Sequence, residues 1–369
     1  MPKPPQVQSA VNMTLRGAAN PGRSGHKLSL AAAEKIYSAR KTTAGFFGME
    51  DETRVIFTSG CTMSLNMAIK GLMKSGGHAV VSSMEHNAVM RPLKAMERMG
   101  VTVTKAEVFA GDDDRTVDSF RRSINAHTKM IVCTQASNVW GIRLPVERLC
   151  ALAHVYGLYM IVDVAQSAGV VPIDMKDGYD IVCAAGHKGL YGTMGTGLML
   201  LSESVMPETI IEGGTGSNSA DLTQPGELPD RFESGTPNLP GIAALGAGIE
   251  FVKSKGIDRI ARHEFRLMER LYEGLSGISG IRLYTAAPEN GRFVPVVSFN
   301  VDGHDSEEVG EYLSKSGIAV RAGLHCAPAA HEAMGTLQTG TVRVSPSAFT
   351  TTPDIDKLIN AMKNCKRFL

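Results

Sequence analysis

Leu158-Tyr-Met-Ile-Val-Asp163-Val-Ala-Gln166, then Tyr179-Asp-Ile-Val-Cys183 running into Ala184-Ala-Gly-His-Lys-Gly-Leu-Tyr191, decide how this chain folds. Each begins with a short, continuous apolar run, the pattern of a strand buried on both faces of a parallel sheet. Polar residues end both runs, so Asp163 and His187-Lys188 are expected at the carboxyl ends of neighbouring strands. Ligands of open α/β sheets bind along that edge.

Outward from this pair, residues 55–58, 79–82, 129–133, 159–162, 180–183 and 197–201 read as buried strands. Between them, 62–73, 87–99, 116–126 and 146–156 carry apolar residues at helical spacing. Such alternation implies a mostly parallel sheet covered by helices. Residues 213–229, rich in glycine and small polar side chains, read as a long loop. Helices at 242–254 and 258–275, strands at 296–299, 318–320 and 341–344, and a last helix at 353–364 complete the reading. The expected division is an amino-terminal segment 1–20, a large domain 21–255 and a smaller α+β domain 256–369 that carries Cys326.

Composition removes several classes of function. Lys plus Arg total 38 against 37 Asp plus Glu, so a net charge of +1 offers no general attraction to nucleic acid or an anionic membrane. No apolar run approaches the roughly 18 residues of a spanning helix. Pro2-Lys-Pro-Pro5 does not resemble a secretory leader, and a cytoplasmic address is expected. The cysteines at 61, 133, 150, 183, 326 and 365 lack Cys-x-x-Cys spacing, which argues against a disulfide framework or a zinc cage, and no metal is expected.

A carboxylate and an amine brought to one crevice satisfy what pyridoxal phosphate requires, a pyridinium partner in Asp163 and a Schiff-base lysine in Lys188. Thr58-Ser-Gly-Cys-Thr62 lies between a strand and a helix, where free amides suit a phosphate; an ordinary helix cap explains it equally well. His86 follows the strand at 79–82 and is either a ring-stacking, proton-moving imidazole or a structural group. Asn138 follows the strand at 129–133, as a substrate contact or a turn residue. Gln166 lies one helical turn past Asp163, within reach of the ring oxygen beside the imine, or else caps a helix. Arg321 and Arg343 adjoin β-like runs and could grip a carboxylate, although a lone arginine is usually a solvated surface group. Cys326, in Arg321-Ala-Gly-Leu-His-Cys-Ala-Pro328, has cationic neighbours and a helix start after it, which favour a thiolate. Gly192-Thr-Met-Gly-Thr-Gly197 has the wrong spacing and position for a dinucleotide fingerprint.

In this order, the motifs resemble the class V, fold-type I pyridoxal-phosphate family, and within it the cysteine desulfurases and selenocysteine lyases. The resemblance covers nearly the whole chain. It implies a large domain built on a mostly parallel seven-stranded sheet and pyridoxal 5'-phosphate as cofactor. Cys61 and Thr62 match the phosphate turn, His86 the ring stacker, Asn138 the substrate-side asparagine, Asp163 and Gln166 the ring partners, and His187-Lys188 the anchor. Phe232-Glu-Ser-Gly-Thr-Pro-Asn238 matches a segment that gives Thr236 to the neighbouring subunit's cofactor phosphate, which implies a homodimer with shared sites. Pro21-Gly-Arg-Ser-Gly-His26 resembles the family's substrate loop, and Gly340-Thr-Val-Arg343 its carboxylate grip. Cys61 stands where the family has threonine, and Ala185 where it often has serine.

The implied reaction takes L-cysteine to L-alanine, leaving a persulfide on Cys326 for an acceptor thiol or carrier protein. Alternatives on the same sequence are a selenocysteine lyase, an aminotransferase or other lyase in which Cys326 has no chemical role, and a catalytically silent cofactor-binding scaffold.

Overall fold

A computed structural model describes residues 2–17, 19–21, 25–285 and 287–365 of the chain. The chain opens with α1 (Pro5–Arg16) and α2 (Lys27–Phe46), neither of which was expected from sequence. Both pack against a later helix, Leu239–Lys255.

The strands β1 (Val55–Thr58), β2 (His78–Ser82), β3 (Thr102–Ala106), β4 (Thr128–Thr134), β5 (Tyr159–Asp163), β6 (Ile181–Ala185) and β7 (Gly197–Leu201) form one sheet in the order β1-β7-β6-β5-β4-β2-β3. Neighbours from β3 to β6 pair in parallel, and β7 is antiparallel to both β6 and β1. The large-domain fold is therefore the seven-stranded, mostly parallel sheet implied by the resemblance. Sequence periodicity alone missed β3, an edge strand of which only Ala106 in Thr102-Val-Thr-Lys-Ala106 is buried. An edge needs no continuous apolar run.

Helices α3 (Cys61–Leu72), α4 (Asn87–Met96), α5 (Asp113–Ser123) and α6 (Val146–Val155) make the connections. Strand alternation sends Val80, Ile131, Val162 and Val182 to one face, with Trp140, Leu149 and Leu245. The opposite face holds Val81, Val132, Ile161 and Cys183 against Leu65, Met67 and Leu93. Each fully buried aliphatic side chain here contributes about 1.5–3 kcal/mol. The sheet is thus a rigid plate whose carboxyl edge is free to carry chemistry.

No helix or strand lies between Leu201 and Leu239, in agreement with the expected long loop. Then come α7 (Leu239–Lys255) and α8 (Ile257–Ser276), joined at Gly256, whose φ of +83° suits glycine. The second unit contains β8 (Ile281–Leu283), β9 (Val297–Val301), α9 (Ser306–Lys315), α10 (Pro328–Ala333), β10 (Val342–Val344) and α11 (Thr352–Asn364). Its antiparallel sheet runs β10-β9-β8.

Residues 318–320, expected as a strand, are irregular. Ile318 and Val320 pack against the core of this unit without a ladder, and only Arg321 pairs with Arg343 in an isolated antiparallel bridge. Burial without pairing produced the strand-like pattern. Among the described residues, no helix is long and apolar enough to cross a membrane.

Candidate active site

Asp163 ends β5 at the centre of the sheet and is only 4% exposed. Its Oδ1 accepts from the amide of Ala165 at 2.8 Å and from Cys61 Sγ at 3.4 Å. Among the described residues no donor reaches Oδ2, which remains free to pair with a ring nitrogen. Gln166 lies in the turn just past Asp163, half-buried. No helix follows β5 here, so the helix-cap reading of Gln166 does not hold.

Lys188 sits in the turn after β6, closed by Tyr191 N donating to Lys188 O at 2.9 Å and Gly192 N to Gly186 O at 2.8 Å. Burial is the main cause lowering its amine pKa; Arg343 and Arg321 act the same way, while Asp163 and Cys61 oppose them. A depressed amine is a better nucleophile toward an aldehyde. Lys3 Nζ donates to His187 O at 2.8 Å, so the amino-terminal segment braces this turn. His187 is half-buried, and burial, then the charges of Lys188 and Lys3, lower its pKa.

The phosphate turn is built as the strand-helix junction requires. Gly60 caps α3 without a side-chain hydrogen bond, and the first backbone bonds run from Met63 and Ser64 to Gly60 O. The amides of Cys61 and Thr62 head the helix, where an anion is favoured. Thr62 is exposed beside them. The Cys61 sulfur turns away from that position to Asp163, and burial first, then the Asp163 charge, pushes its thiol pKa well up. A free carboxylate oxygen, an amine in the same crevice and an uncapped helix start fit pyridoxal phosphate.

His86 lies between β2 and α4, and its Nδ1 accepts from Ala88 N at 2.9 Å. That bond is the structural cap. It also fixes the ring in the crevice, where burial lowers the imidazole pKa, Asp163 raises it, and Lys188, Arg321 and Arg343 lower it further.

Of the residues expected to meet substrate, Asn138 Nδ2 donates to His325 O at 2.9 Å, and Asn138 O accepts from Arg343 Nη1 at 2.8 Å. Burial, followed by the Arg321 charge, pushes the Arg343 pKa down to about 10. Arg321 Nη2 lies 3.3 Å from Cys326 Sγ, which places a positive charge beside the sulfur. Of the six cysteines only Cys326 is exposed. Both His325 and Cys326 are left-handed, at φ +52° and +57°.

Two expected residues stand apart. Thr236 is exposed and lines a cavity of about 370 Å³ with Thr58, Ser59, Met63, Gly197 and Phe232 of its own chain. That cavity flanks the phosphate turn and does not include Asp163 or Lys188. His26 is exposed and caps α2 through Nδ1 to Ser29 N at 3.2 Å; among the described residues nothing joins it to the crevice. Gly22–Ser24 of the expected substrate loop lie outside the described residues.

Sequence reasoning took His325 as a cationic neighbour of Cys326, but burial pushes its pKa down to about 3 and leaves it neutral, so the charge beside the sulfur comes from Arg321; it missed Glu85 as a participant. Glu85 is fully buried, accepts from Thr134 N at 2.8 Å and from Ser82 Oγ, and among the described residues leaves Oε2 without a partner. Burial pushes its carboxyl up to about 8. Its position directly before His86 was the available signal.

The Aminotransferase class-V family description matches residues 1–358 of the chain. A probable cysteine desulfurase from Methanothermobacter thermautotrophicus is 33% identical over 353 residues, covering 92% of this chain and 86% of that protein. Another, from Mycolicibacterium paratuberculosis, is 31% identical over 92% of this chain, which spans only 50% of its length. The apo structure of a cysteine desulfurase from Thermococcus onnurineus NA1 superposes with a TM-score of 0.92 at 30% identity, covering 100% of this chain and 93% of that one.

Proposed function

Since the chain belongs to the aminotransferase class-V family, a pyridoxal-phosphate family, and to its cysteine desulfurase branch, we propose that it takes sulfur from L-cysteine, releasing L-alanine and leaving a persulfide on Cys326. Pyridoxal phosphate, when bound, supplies an electron sink for the substrate carbon skeleton. Lys188 would anchor it, the α3 amides with Thr62 would hold its phosphate, and Asp163 Oδ2 would keep its ring nitrogen protonated. His86 would serve the ring side and move protons at the substrate carbon. Arg343 grips the substrate carboxylate.

Cys326 Sγ attacks the substrate sulfur. A sulfur-sulfur bond forms, the carbon-sulfur bond breaks, and its electron pair returns to the substrate carbon, which takes a proton to become the methyl group of alanine. The persulfide then passes its outer sulfur to an acceptor thiol or carrier protein. Two copies share their sites in this reading, each giving Thr236 to the other's cofactor phosphate.

The observation that carries the proposal is the one exposed cysteine, with Arg321 Nη2 3.3 Å from its sulfur, on the segment bridged to Arg343. Incubation of cofactor-loaded protein with L-cysteine and L-selenocysteine separately tests it. Alanine from cysteine is expected; alanine from selenocysteine alone would make the protein a selenocysteine lyase, and alanine from neither sinks the reading.

A further inference from the structure

The expected carboxylate grip and the residue directly before Cys326 belong to one closed hydrogen-bonded ring. Arg343 Nη1 donates to Asn138 O at 2.8 Å, and Asn138 Nδ2 donates to His325 O at 2.9 Å. His325 Nε2 lies 3.0 Å from Thr341 O and 3.1 Å from Thr341 Oγ1, and Thr341 leads through Val342 back to Arg343. A carbonyl only accepts, so Nε2 carries the hydrogen. Backbone pairs between Gly323 and Thr341, both 3.1 Å, and between Arg321 and Arg343, 3.2 and 2.7 Å, brace the ring. Asn87 N holds Cys326 O from the opposite side at 2.8 Å.

His325 is the turning point of this ring. It is 2% exposed, and both it and Cys326 adopt the left-handed backbone that residues other than glycine avoid. Its buried ring helps to hold that turn, and burial, then the Arg343 charge, pushes its pKa down to about 3, so the imidazole is neutral with its one hydrogen on Nε2 toward Thr341. The amide nitrogen of Asn138 is committed to the same turn. A site that grips a carboxylate at Arg343 and meets the substrate sulfur at Cys326 depends on how those two groups are held relative to each other.

We propose that His325, held by Thr341 and Asn138, is the positioning residue that keeps Cys326 in register with Arg343, so that the thiol meets the sulfur of a cysteine gripped by its carboxylate. This rests on the desulfurase reading above. The test compares wild type with His325→Ala and His325→Gln, using L-cysteine. In the alanine variant kcat should fall about tenfold with KM little changed, because a nucleophile displaced by a fraction of an ångström loses its alignment. Glutamine keeps an N–H directed at Thr341 O and should restore most of kcat. A purely structural role would lower kcat only in proportion to the cofactor lost, and that outcome, or glutamine behaving as alanine does, overturns the proposal.

Cofactor-free protein supplies a second readout. Iodoacetamide should alkylate Cys326 about tenfold faster or slower in His325→Ala than in wild type, with His325→Gln near wild type; equal rates in all three overturn the proposal. If His325→Ala does not fold, Asn138→Ala opens the ring on its other side and must lower kcat for L-cysteine and shift the alkylation rate in the same way. A wild type that makes no alanine defeats the desulfurase reading and leaves the alkylation result to decide the ring.

Discussion

Cys326 and Asp163 show how differently single residues are prepared for work. Asp163 is sunk in the sheet edge with one oxygen committed, whereas Cys326 stands exposed on a left-handed turn beside Arg321. Cys326→Ser should therefore abolish alanine formation from cysteine, by at least about a hundredfold, the scale expected when a nucleophile is removed. Cofactor absorbance and retention should not change, because no contact of Cys326 reaches the phosphate turn or Asp163. Loss of cofactor together with activity would mean that the loop supports the fold and not the reaction.

Asp163, Lys188 and Arg343 were legible because each adjoins a short apolar run. The partners that tune them were not: Cys61 reaches Asp163 across 102 positions, and Lys3 reaches His187 across 184. Such pairings depend on tertiary approach, for which local pattern carries no signal. The place of His325 was hidden for the same reason, since Asn138 meets it only across the two units, 187 positions away.

Among elements, the junction of β7 with the head of α3 is the most exacting. A Cβ on Gly197 would come 2.4 Å from Gly60 C and 2.8 Å from Cys61 N, so the antiparallel strand presses directly on the phosphate turn. Gly197→Ala should cost about 1–3 kcal/mol of stability by overpacking. It should also weaken pyridoxal-phosphate retention, because the amide of Cys61 must shift. Denaturant melts and cofactor dissociation measured on one preparation check both effects; unchanged dissociation would detach this turn from phosphate binding. Helices α3 to α8 were readable from their apolar spacing. The first two were not, since α2 is alanine-rich with few large apolar residues and α1 buries only Val7 and Thr14.

At the scale of the molecule, Tyr191 ties the lysine turn to the second unit. Its ring meets Phe251 and Phe349 edge-on, and its hydroxyl accepts from Ala348 N at 3.0 Å and lies 3.5 Å from Glu264 Oε1. Burial pushes the Glu264 carboxyl up to about 8. An unfolded glutamate titrates near 4.3, so above that pH the folded protein holds a proton that the unfolded chain releases. Stability from this group is therefore complete below about pH 4 and is lost as pH rises toward 8. Glutamine at this position does not titrate. The melting temperature of Glu264→Gln relative to wild type should climb between about pH 5 and 8 and level off above that; a difference that is flat with pH would show Glu264 ionised in the fold.

In the proposed reaction, sulfur leaves cysteine and rests on Cys326. Mass analysis of the Cys326 peptide after a single turnover with L-cysteine, under non-reducing conditions and without an acceptor thiol, tests it most directly. One additional sulfur atom on Cys326, in step with the alanine released, is the expected result; alanine with an unmodified Cys326 would contradict the claim.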